Sequence, residues 1–451
     1  MALDVTGLSH DGEGVARLDG LVVFVPGAMP GDRVAARLVE VRKEYARAEL
    51  LEITSPSLDR VQSPCTVAED CGGCSLQAMR YEAQLAWKTR AVRDAIDRIG
   101  GLKGALVHPC LGALHPHHYR NKVQFPVALV GGRPVAGCFR KGTHEVVSTE
   151  SCDIQHGTND LIVRESLRLI DALGLTVYDE RRGGGLIKHI MGRVAPGTGE
   201  SMAVIVTSTK KFTRGGEFAK GLMDAVPGLA GVVQNVNPEE TNIILGRETR
   251  VIAGRGYIDD LFGNDRIGRL RFRISPLSFY QINAEQAAVL YGKAIEYAAL
   301  RPVDTGLDVY SGIGTITLFL SKACRGAYGI EEVGAAVRDA RQNARLNHIQ
   351  NAEFALGRAE RLLPRMAAEG RVKPSVVVLD PPRKGCEPEV LHAIVRMRPE
   401  RIVYVSCYPA TLARDLAILS QSNYRVVAVQ PVDMFPQTSH VECCSLLTRA
   451  S

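Results

Sequence analysis

The apolar and polar residues alternate differently in three parts of the chain. From residue 1 to about residue 56, short alternating runs are separated by Gly, Pro and Asp, as in VARLDG, LVVFVPGA and RVAARLVEV. Short strands joined by such turns are typical of a small closed barrel. The sequence therefore predicts an all-β barrel over residues 1–56.

A Ser- and Pro-rich stretch, TSPSLDRVQSP, separates this barrel from a second part that mixes helices and strands. Apolar residues near helical spacing predict a long amphipathic helix from about Tyr81 to Ile99. Beyond it, strand-like runs such as KVQFPVALV and ESMAVIVTS alternate with helical segments such as NDLIVRESLRLIDALG. We therefore expect an α+β domain over residues 57–264.

From about residue 265 the pattern becomes a regular alternation of strands and helices. TGLDVYS, GAYGIEE, SVVVLDPP and RIVYVSC are typical of buried strands, and helical segments such as GAAVRDARQNARLN lie between them. Repeated βα units favour a parallel, doubly wound sheet. The sequence predicts a Rossmann-like domain over residues 265–451, and the fold class as a whole is multidomain α/β.

Length and charge narrow the possible classes of protein. With 451 residues, the chain is too long for a single hydrophobic core. The chain has 55 basic and 49 acidic residues, and the resulting net charge of +6 permits nucleic-acid binding without requiring it. The N-terminal MALDVTGLSHDGEG lacks the features of a signal peptide, and no run reaches the roughly 18 apolar residues that span a bilayer. We expect a cytoplasmic protein with no membrane partner.

A glycine turn in LDVYSGIGTITLFLS indicates a cofactor site. Gly312 and Gly314 allow the backbone to turn tightly beside a ligand, but Thr317 stands where a dinucleotide-binding turn has its third glycine. Glu331 and Glu332 end the next strand, where a carboxylate holds ribose hydroxyls. The pattern fits S-adenosylmethionine, which has no pyrophosphate. An ordinary βα turn with a solvated glutamate is about as common.

Two further residues follow strands of the same predicted sheet. Asp380 ends SVVVLD before two prolines, and Cys407 follows RIVYVS. Ligands bind beyond the carboxyl ends of such strands, so we expect both side chains to face one crevice. There Asp380 can contact a base or the cofactor. The bland alternatives are a turn-forming aspartate and an inert core cysteine.

Cys407 suits nucleophilic attack on C6 of a pyrimidine. A thiol has a pKa of roughly 8.5, so the site must favour the reactive thiolate. Attack at C6 makes C5 nucleophilic enough to take a methyl group, after which the C5 proton must leave. Glu442, in MFPQTSHVECCSLL, is the candidate general base. Glu442 could equally be an exposed strand residue without a catalytic role. The nearby His440 could be a polar residue whose hydrogen bonds are made within the protein.

Cysteine spacing indicates a metal centre in the second part. The chain has 11 cysteines, and Cys65, Cys71 and Cys74 form a C-x5-C-x2-C cluster. Thiolates in such clusters hold zinc or an iron–sulfur cluster, and a fourth ligand is needed. Spacing leaves that ligand open among three cysteines, namely Cys110, Cys138 and Cys152.

Taken together, these motifs resemble one enzyme family. SCYPATLARD, VVVLDPPRKG, DVYSGIGTITL, ISPLSFYQIN, MFPQTSHVE and the cysteine cluster are similar to motifs of the RNA (uracil-5-)-methyltransferases, most of all the 23S rRNA branch. The resemblance covers essentially the whole chain, with the motifs in the family's order. It implies that residues 1–56 form a TRAM domain, an oligonucleotide-binding-type barrel that grips RNA.

The resemblance also assigns roles to individual residues. It implies that a [4Fe-4S] cluster, with no redox step in methyl transfer, is bound by four cysteines, Cys65, Cys71, Cys74 and Cys152. It implies an S-adenosylmethionine site that includes Gln281, Tyr310, Glu331 and Asp380. Cys407 matches the nucleophile, and Glu442 matches the base that removes the C5 proton. Asp380 then also helps to place the target base.

This chain departs from the family pattern at several positions. Tyr408 replaces the Asn of SCNP, Gln437 stands where His is frequent, and Ser439 stands where Pro is frequent. Thr315 occupies an Asn position after the glycine turn. The nucleophile and base are kept, so the departures imply a changed fit to the target, or a changed rate, with the reaction retained.

The resemblance implies a monomeric enzyme that methylates C5 of a specific uridine in 23S rRNA. One rival is the same reaction on the T-loop uridine of tRNA, whose enzymes generally lack the TRAM and cluster segments. A second rival is a cytosine-5 methyltransferase, which fits the motifs around Asp380 and Cys407 less well. A third is an iron–sulfur RNA-binding protein without turnover.

Overall fold

A computed structural model describes residues 1–370 and 372–450, and it begins with the expected barrel. Five strands close in the order β1-β2-β3-β5-β4 because β1 pairs with both β2 and β4. Their interior is fully apolar, with Ala16, Val23 and Val34 completely buried. The strands are β1 (Ala2–Leu8), β2 (Gly14–Leu18), β3 (Leu21–Val25), β4 (Arg33–Val41) and β5 (Tyr45–Ser55). The prediction of a small closed barrel is confirmed.

The second part is built on a mixed sheet. Its elements are α1 (Tyr81–Arg98), β6 (Leu106–Val107), β7 (Lys122–Val130), β8 (Arg133–Phe139), β9 (Val146–Ser148), α2 (Gly157–Ala172), β10 (Ile187–Ala195), β11 (Glu200–Thr207), α3 (Gly215–Ala225), β12 (Leu229–Val236) and β13 (Glu248–Gly254). Seven strands pair in the order β13-β12-β11-β10-β7-β8-β9. Helices α2 and α3 pack on this sheet around Ile162 and Phe218. The arrangement is α+β, as the alternation of patterns indicates.

A hairpin leads into the third part, which is a βα-alternating sheet. Its elements are β14 (Ile258–Asn264), β15 (Gly268–Ile274), α4 (Ala284–Ala298), β16 (Thr305–Val309), α5 (Thr315–Ser321), β17 (Gly326–Glu331), α6 (Gly334–Leu346), β18 (Ala352–Leu356), α7 (Ala359–Glu369), β19 (Val376–Leu379), α8 (Pro388–Met397), β20 (Arg401–Ser406), α9 (Pro409–Gln421), β21 (Tyr424–Val432) and β22 (Glu442–Arg449). The strand order is β18-β17-β16-β19-β20-β22-β21-β6. The last strand of the chain, β22, inserts antiparallel between β20 and β21.

Both faces of this sheet are covered, which explains why its strands are continuous apolar runs. Val376 and Val378 of β19 face one core, together with residues of α4 and α5. Val377 and Leu379 face the opposite core, together with residues of α8 and α9. Among the described residues, no helix has both the length and the apolar character that crossing a membrane requires.

Residues 81–107 precede the third part in the sequence but pack against it. Helix α1 packs on α9 of the third part, and β6 pairs with β21 at the edge of its sheet. Val92 and Ile96 of α1 are fully buried in the core of that sheet. An amphipathic pattern shows that a helix has an apolar face, but it does not show which neighbour covers that face.

A segment between β21 and β22, residues 433–441, is where the three parts of the chain meet. We call it the site loop. Lys88 Nζ of α1 lies 2.5 Å from Asp433 Oδ1, and both side chains are completely buried. Tyr81 of the same helix donates its hydroxyl to the other carboxylate oxygen of Asp433 at 2.9 Å. A fully buried ion pair keeps its place because separating it would leave an unpaired charge in the interior.

Further hydrogen bonds fix the middle of the site loop. Gln437 has a φ of 70°, and its backbone N–H and side-chain oxygen both bond to Gln84 of α1, at 3.1 and 3.0 Å. Ser439 donates its N–H to the Ser75 hydroxyl at 3.0 Å, a bond that the more frequent proline could not make. Gly12 of the barrel lies so close to Ser75 that an added Cβ would stand 2.7 Å from the serine Cβ. The barrel therefore packs directly on the segment that holds the loop.

Candidate active site

A cavity of about 550 Å³ opens at the carboxyl ends of β16, β17, β19 and β20. This is the edge at which parallel αβ sheets bind ligands. The six residues expected at the cofactor and catalytic sites all line it, namely Gln281, Tyr310, Glu331, Asp380, Cys407 and Glu442. The fold thus gathers side chains that lie up to 161 positions apart in the sequence.

The glycine turn and Glu331 form one end of the cavity. Gly312 and Gly314 have φ values of 55° and 85°, which residues with side chains rarely adopt. The Glu331 carboxylate accepts the N–H groups of Gly312 at 3.0 Å and Val333 at 2.7 Å. These bonds fix the carboxylate at the cavity wall, where it can also meet a ligand hydroxyl.

Unpartnered polar atoms lie beside this turn. Thr317, at the position of the missing third glycine, donates its hydroxyl to Asp308 Oδ2 at 2.6 Å. The other Asp308 oxygen and the Ser311 hydroxyl are buried with no partner in the described residues. Buried polar atoms of this kind normally have a partner. A ligand with amino and hydroxyl groups, such as S-adenosylmethionine, would satisfy them, so the residues present fit that cofactor.

Asp380 lines the same cavity as the glycine turn and Cys407. It follows β19 and is fixed by Pro381 and Pro382, which also line the wall. Burial raises the pKa of Asp380 to about 7. A carboxyl with that pKa is partly neutral at physiological pH, so it can donate as well as accept a hydrogen bond.

Strand pairing brings Cys407 and Glu442 together. Ser406, the last residue of β20, pairs with Cys443 of the antiparallel strand β22. The next pair in this register is Cys407 and Glu442, and both residues line the cavity. Burial, and secondarily the Asp380 charge, raises the pKa of Glu442 to about 8. Burial and the two carboxylates raise the pKa of Cys407 to about 11, against an opposing effect of Arg383.

Sequence patterns alone missed several residues of this cavity. Arg383 follows the two prolines in VVVLDPPRKG, and its charge partly opposes the rise in pKa of both Cys407 and Glu442. Asp308 is an acid within an otherwise apolar strand, which was a signal available in the sequence. The fully buried Tyr291 accepts a hydrogen bond from Gln281 at 3.1 Å, and nothing in its helical pattern distinguished it.

Comparison with known proteins agrees with this geometry. Residues 233–450 match the tRNA (uracil-5-)-methyltransferase family, and residues 1–51 match the TRAM domain. An uncharacterized RNA methyltransferase of Halalkalibacterium halodurans is 44% identical over 440 residues, which are 98% of this chain and 95% of that protein. Another, of Caldanaerobacter subterraneus, is 45% identical over 447 residues, 99% of this chain and 97% of that protein. The chain belongs to the RNA (uracil-5-)-methyltransferase family.

A solved structure supports the assignment. The tRNA (uracil-54, C5)-methyltransferase of Pyrococcus abyssi, in complex with S-adenosyl-L-homocysteine, aligns with a TM-score of 0.78 and 26% identity. The alignment covers 99% of this chain and all of that one. This RNA methyltransferase is therefore S-adenosylmethionine-dependent, and its barrel is a TRAM domain.

Departures from the family motifs lie around the cavity of this methyltransferase. Thr315 lines the wall directly. The Tyr408 ring packs edge-on against His10 of the TRAM domain, with ring centroids 4.7 Å apart. Tyr408 therefore connects the position after the nucleophile to the barrel, which the sequence pattern did not indicate.

The expected metal ligands form a separate neighbourhood. The pKa of Cys74 is raised to about 12, mainly by burial. Three neighbouring thiols add to this rise through their charges, namely Cys152, Cys71 and Cys65, so the four thiols lie near one another. Cys138 lies against Cys71, and its thiol donates to the Cys71 sulfur and lowers that residue's pKa. Cys110 lies elsewhere, beside Asp433 and Lys88.

The cysteine neighbourhood suits an iron–sulfur cluster in its chemistry but not in its present geometry. All five thiols are free, and thiolates are the usual ligands of such clusters. In the chain as described, however, no three candidate ligand side chains converge as a metal ion would require.

The buried carboxyls of the cavity should make the enzyme less stable as pH rises. Burial raises the pKa of Asp308 and Asp380 to about 7 and that of Glu442 to about 8, so the folded protein holds protons that the unfolded chain releases near pH 4. The free energy of unfolding then falls between roughly pH 4 and pH 8. We expect Asp380→Asn to raise Tm by about 2 °C or more near pH 8 and by less near pH 5.5.

Asp304→Asn is the matched control for this experiment. Arg301 lowers the pKa of Asp304 to about 2, so its carboxylate stabilises the fold at both pH values. Its replacement should lower Tm by similar amounts at both. A Tm gain for Asp380→Asn that does not depend on pH would contradict the role assigned to burial of the charge.

Proposed function

We propose that this enzyme methylates C5 of a uridine in 23S rRNA, in the cytoplasm and as a monomer, through a covalent bond between Cys407 and the base. One observation carries the proposal. Cys407, Glu442 and Asp380 share a cavity with a polar turn that fits S-adenosylmethionine. A nucleophile, a base and a cofactor site within one cavity are what pyrimidine C5 methylation requires.

Cys407 begins the reaction by forming a bond to C6 of the uracil. Burial and the neighbouring carboxylates raise the pKa of the Cys407 thiol to about 11, so the thiol has to release its proton to solvent as it attacks. The resulting thiolate supplies the electron pair, and the pair of the C5=C6 double bond moves to C5 and the O4 oxygen. When bound, S-adenosylmethionine supplies an electrophilic methyl group for C5. A neutral Asp380 carboxyl can donate a hydrogen bond to O4 and stabilise the charge that develops there.

Glu442 completes the reaction. Its carboxylate takes the proton from C5, the C5=C6 double bond re-forms, and the bond from C6 to the Cys407 sulfur breaks to return the thiolate. Glu442 has to be ionised at this step, and its pKa of about 8 lies near physiological pH. A base of that strength suits proton removal there.

The identity of the RNA rests on the motifs. Their similarity to the 23S rRNA branch supports a ribosomal uridine. The likeness to the Pyrococcus abyssi tRNA methyltransferase supports tRNA as a second candidate. That alignment includes the barrel, so possession of a barrel does not by itself separate the two RNAs.

The deciding experiment is mass-spectrometric mapping of 5-methyluridine in total RNA from cells with and without this protein. Loss of the methyl group from one ribosomal uridine is the expected result, and it would also identify the site. If the methyl group is lost only from tRNA, tRNA is the substrate, and the ribosomal assignment is wrong. Unchanged 5-methyluridine in all RNA would refute the proposed reaction.

Substitution of the two reacting residues separates the steps. We expect Cys407→Ala to reduce 5-methyluridine formation at least 1,000-fold with little change in RNA affinity, because it removes the nucleophile only. Glu442→Gln should accumulate an RNA-linked protein that migrates slowly in a denaturing gel, because addition and methylation precede proton removal. Cys324→Ala, in a buried cysteine outside the cavity, is the control. Absence of the linked species would argue against Glu442 as the base.

We also propose that Cys65, Cys71, Cys74 and Cys152 bind a [4Fe-4S] cluster with a structural role. Their proximity and the thiol chemistry support this set, and Cys138 competes for the fourth position. Nothing in the methyl transfer requires electron transfer, so the cluster would organise the segment that supports the site loop.

Iron analysis tests this set of ligands. Protein purified without oxygen should contain about four iron atoms per chain. Cys152→Ser should lose most of the iron, whereas Cys138→Ser should retain it. The reverse pattern would assign Cys138 as the ligand, and full iron in both variants would remove Cys152 from the set.

A further inference from the structure

Four aromatic rings from three separate segments gather at the mouth of the cavity. His10 lies in the loop between β1 and β2 of the TRAM domain, Tyr408 follows the nucleophile, and Phe435 and His440 belong to the site loop. The ring centroids of His10 and Tyr408 are 4.7 Å apart, those of His10 and His440 are 6.0 Å apart, and those of Phe435 and His440 are 6.0 Å apart. We call this group the aromatic mouth.

The aromatic mouth begins inside the cavity and ends in solvent. Phe435 and His440 line the cavity wall together with Cys407. Tyr408 and His440 are partly exposed, and His10 is exposed. Ring surface therefore remains available to a ligand that enters the cavity from the side of the barrel.

The exposed His10 is nevertheless held in position. Gly12 packs against Ser75 and, at 3.5 Å from an added Cβ, against Ser439 of the site loop. At the end of the same barrel loop, the buried Glu13 pairs with Arg47 and Lys141, each at 3.2 Å. The ring is thus presented on a fixed support and is not buried by it, which is the arrangement of a binding surface.

The charge of the aromatic mouth suits stacking on a nucleobase. Burial and the nearby Arg383 lower the pKa of His440 to about 4, so that ring is neutral at physiological pH. Arg383 itself lines the cavity and offers a cation within reach of a phosphate. Aromatic rings beside a cationic group are the usual means of holding single-stranded RNA.

We propose that the aromatic mouth stacks on the nucleobase adjacent to the target uridine, so that His10 of the TRAM domain is part of the substrate site. The inference rests on the proposed function, because the target base must enter the cavity as far as Cys407. Tyr408 directly follows Cys407 and contacts the exposed His10, so the nucleotide adjacent to a uridine bound at Cys407 would meet these two rings. Flipped or single-stranded bases are commonly held by such stacking.

The test uses the full-length enzyme and a short RNA that carries the mapped uridine, with 2-aminopurine as the nucleotide on either side. Wild-type enzyme should quench the fluorescence of one of the two RNAs. His10→Ala should lose most of that quenching and raise KM about tenfold, the loss expected for one base–aromatic stack, with kcat within about twofold. His10→Phe, which keeps a ring, should restore quenching and KM to within about threefold of wild type.

The outcomes separate this inference from the reaction itself. His10 is exposed, so neither variant should change Tm appreciably. If wild-type enzyme forms 5-methyluridine but His10→Ala matches it in quenching and KM, the stacking role is wrong. A His10→Phe variant as defective as His10→Ala would also overturn it, because the ring would not be the relevant feature. A wild-type enzyme that forms no 5-methyluridine would remove the proposed function and this inference with it.

Discussion

The buried contact between Lys88 and Asp433 is the constraint on which the site depends. It attaches α1 to the start of the site loop, and the same helix also holds Gln437 in its left-handed conformation. Because a charge left unpaired in the interior is strongly unfavourable, the loop has one acceptable path from β21 to β22. That path sets where Glu442 enters the sheet, and thus the position of the candidate base relative to Cys407.

The carboxyls of the cavity reduce the stability of the fold. Asp308 and Glu442 are buried carboxyls, and Asp380 is a half-buried one, in the same cavity at the end of a sheet whose strands are otherwise apolar. Burial raises the pKa of each, so the groups that suit proton transfer near neutral pH are also groups that weaken the fold when they ionise. The apolar cores on the two faces of the sheet offset this destabilisation.

The three parts of the chain act at one place. The TRAM domain contacts Tyr408 and the site loop through His10. The cysteine segment contacts the site loop through Ser75, and α1 contacts it through Lys88. The departures Tyr408, Gln437 and Ser439 all lie on these contacts. Substitutions at such positions alter how the parts are joined around the substrate, and they leave Cys407 and Glu442 in place.

The sequence by itself determined the barrel and the βα-alternating sheet, because these follow from periodicity. Strand-end positions indicated Glu331, Asp380 and Cys407, and the proposed chemistry indicated Glu442 as the base. Gln281 and Tyr310 came only from the resemblance to the family. Only the tertiary structure decided that α1 packs on the third part, that β22 lies between β20 and β21, and that Arg383, Tyr291 and His10 approach the site. Those facts depend on which faces cover one another across distances of hundreds of residues. Local patterns show that a face must be buried, but the partner is selected by packing of the whole chain.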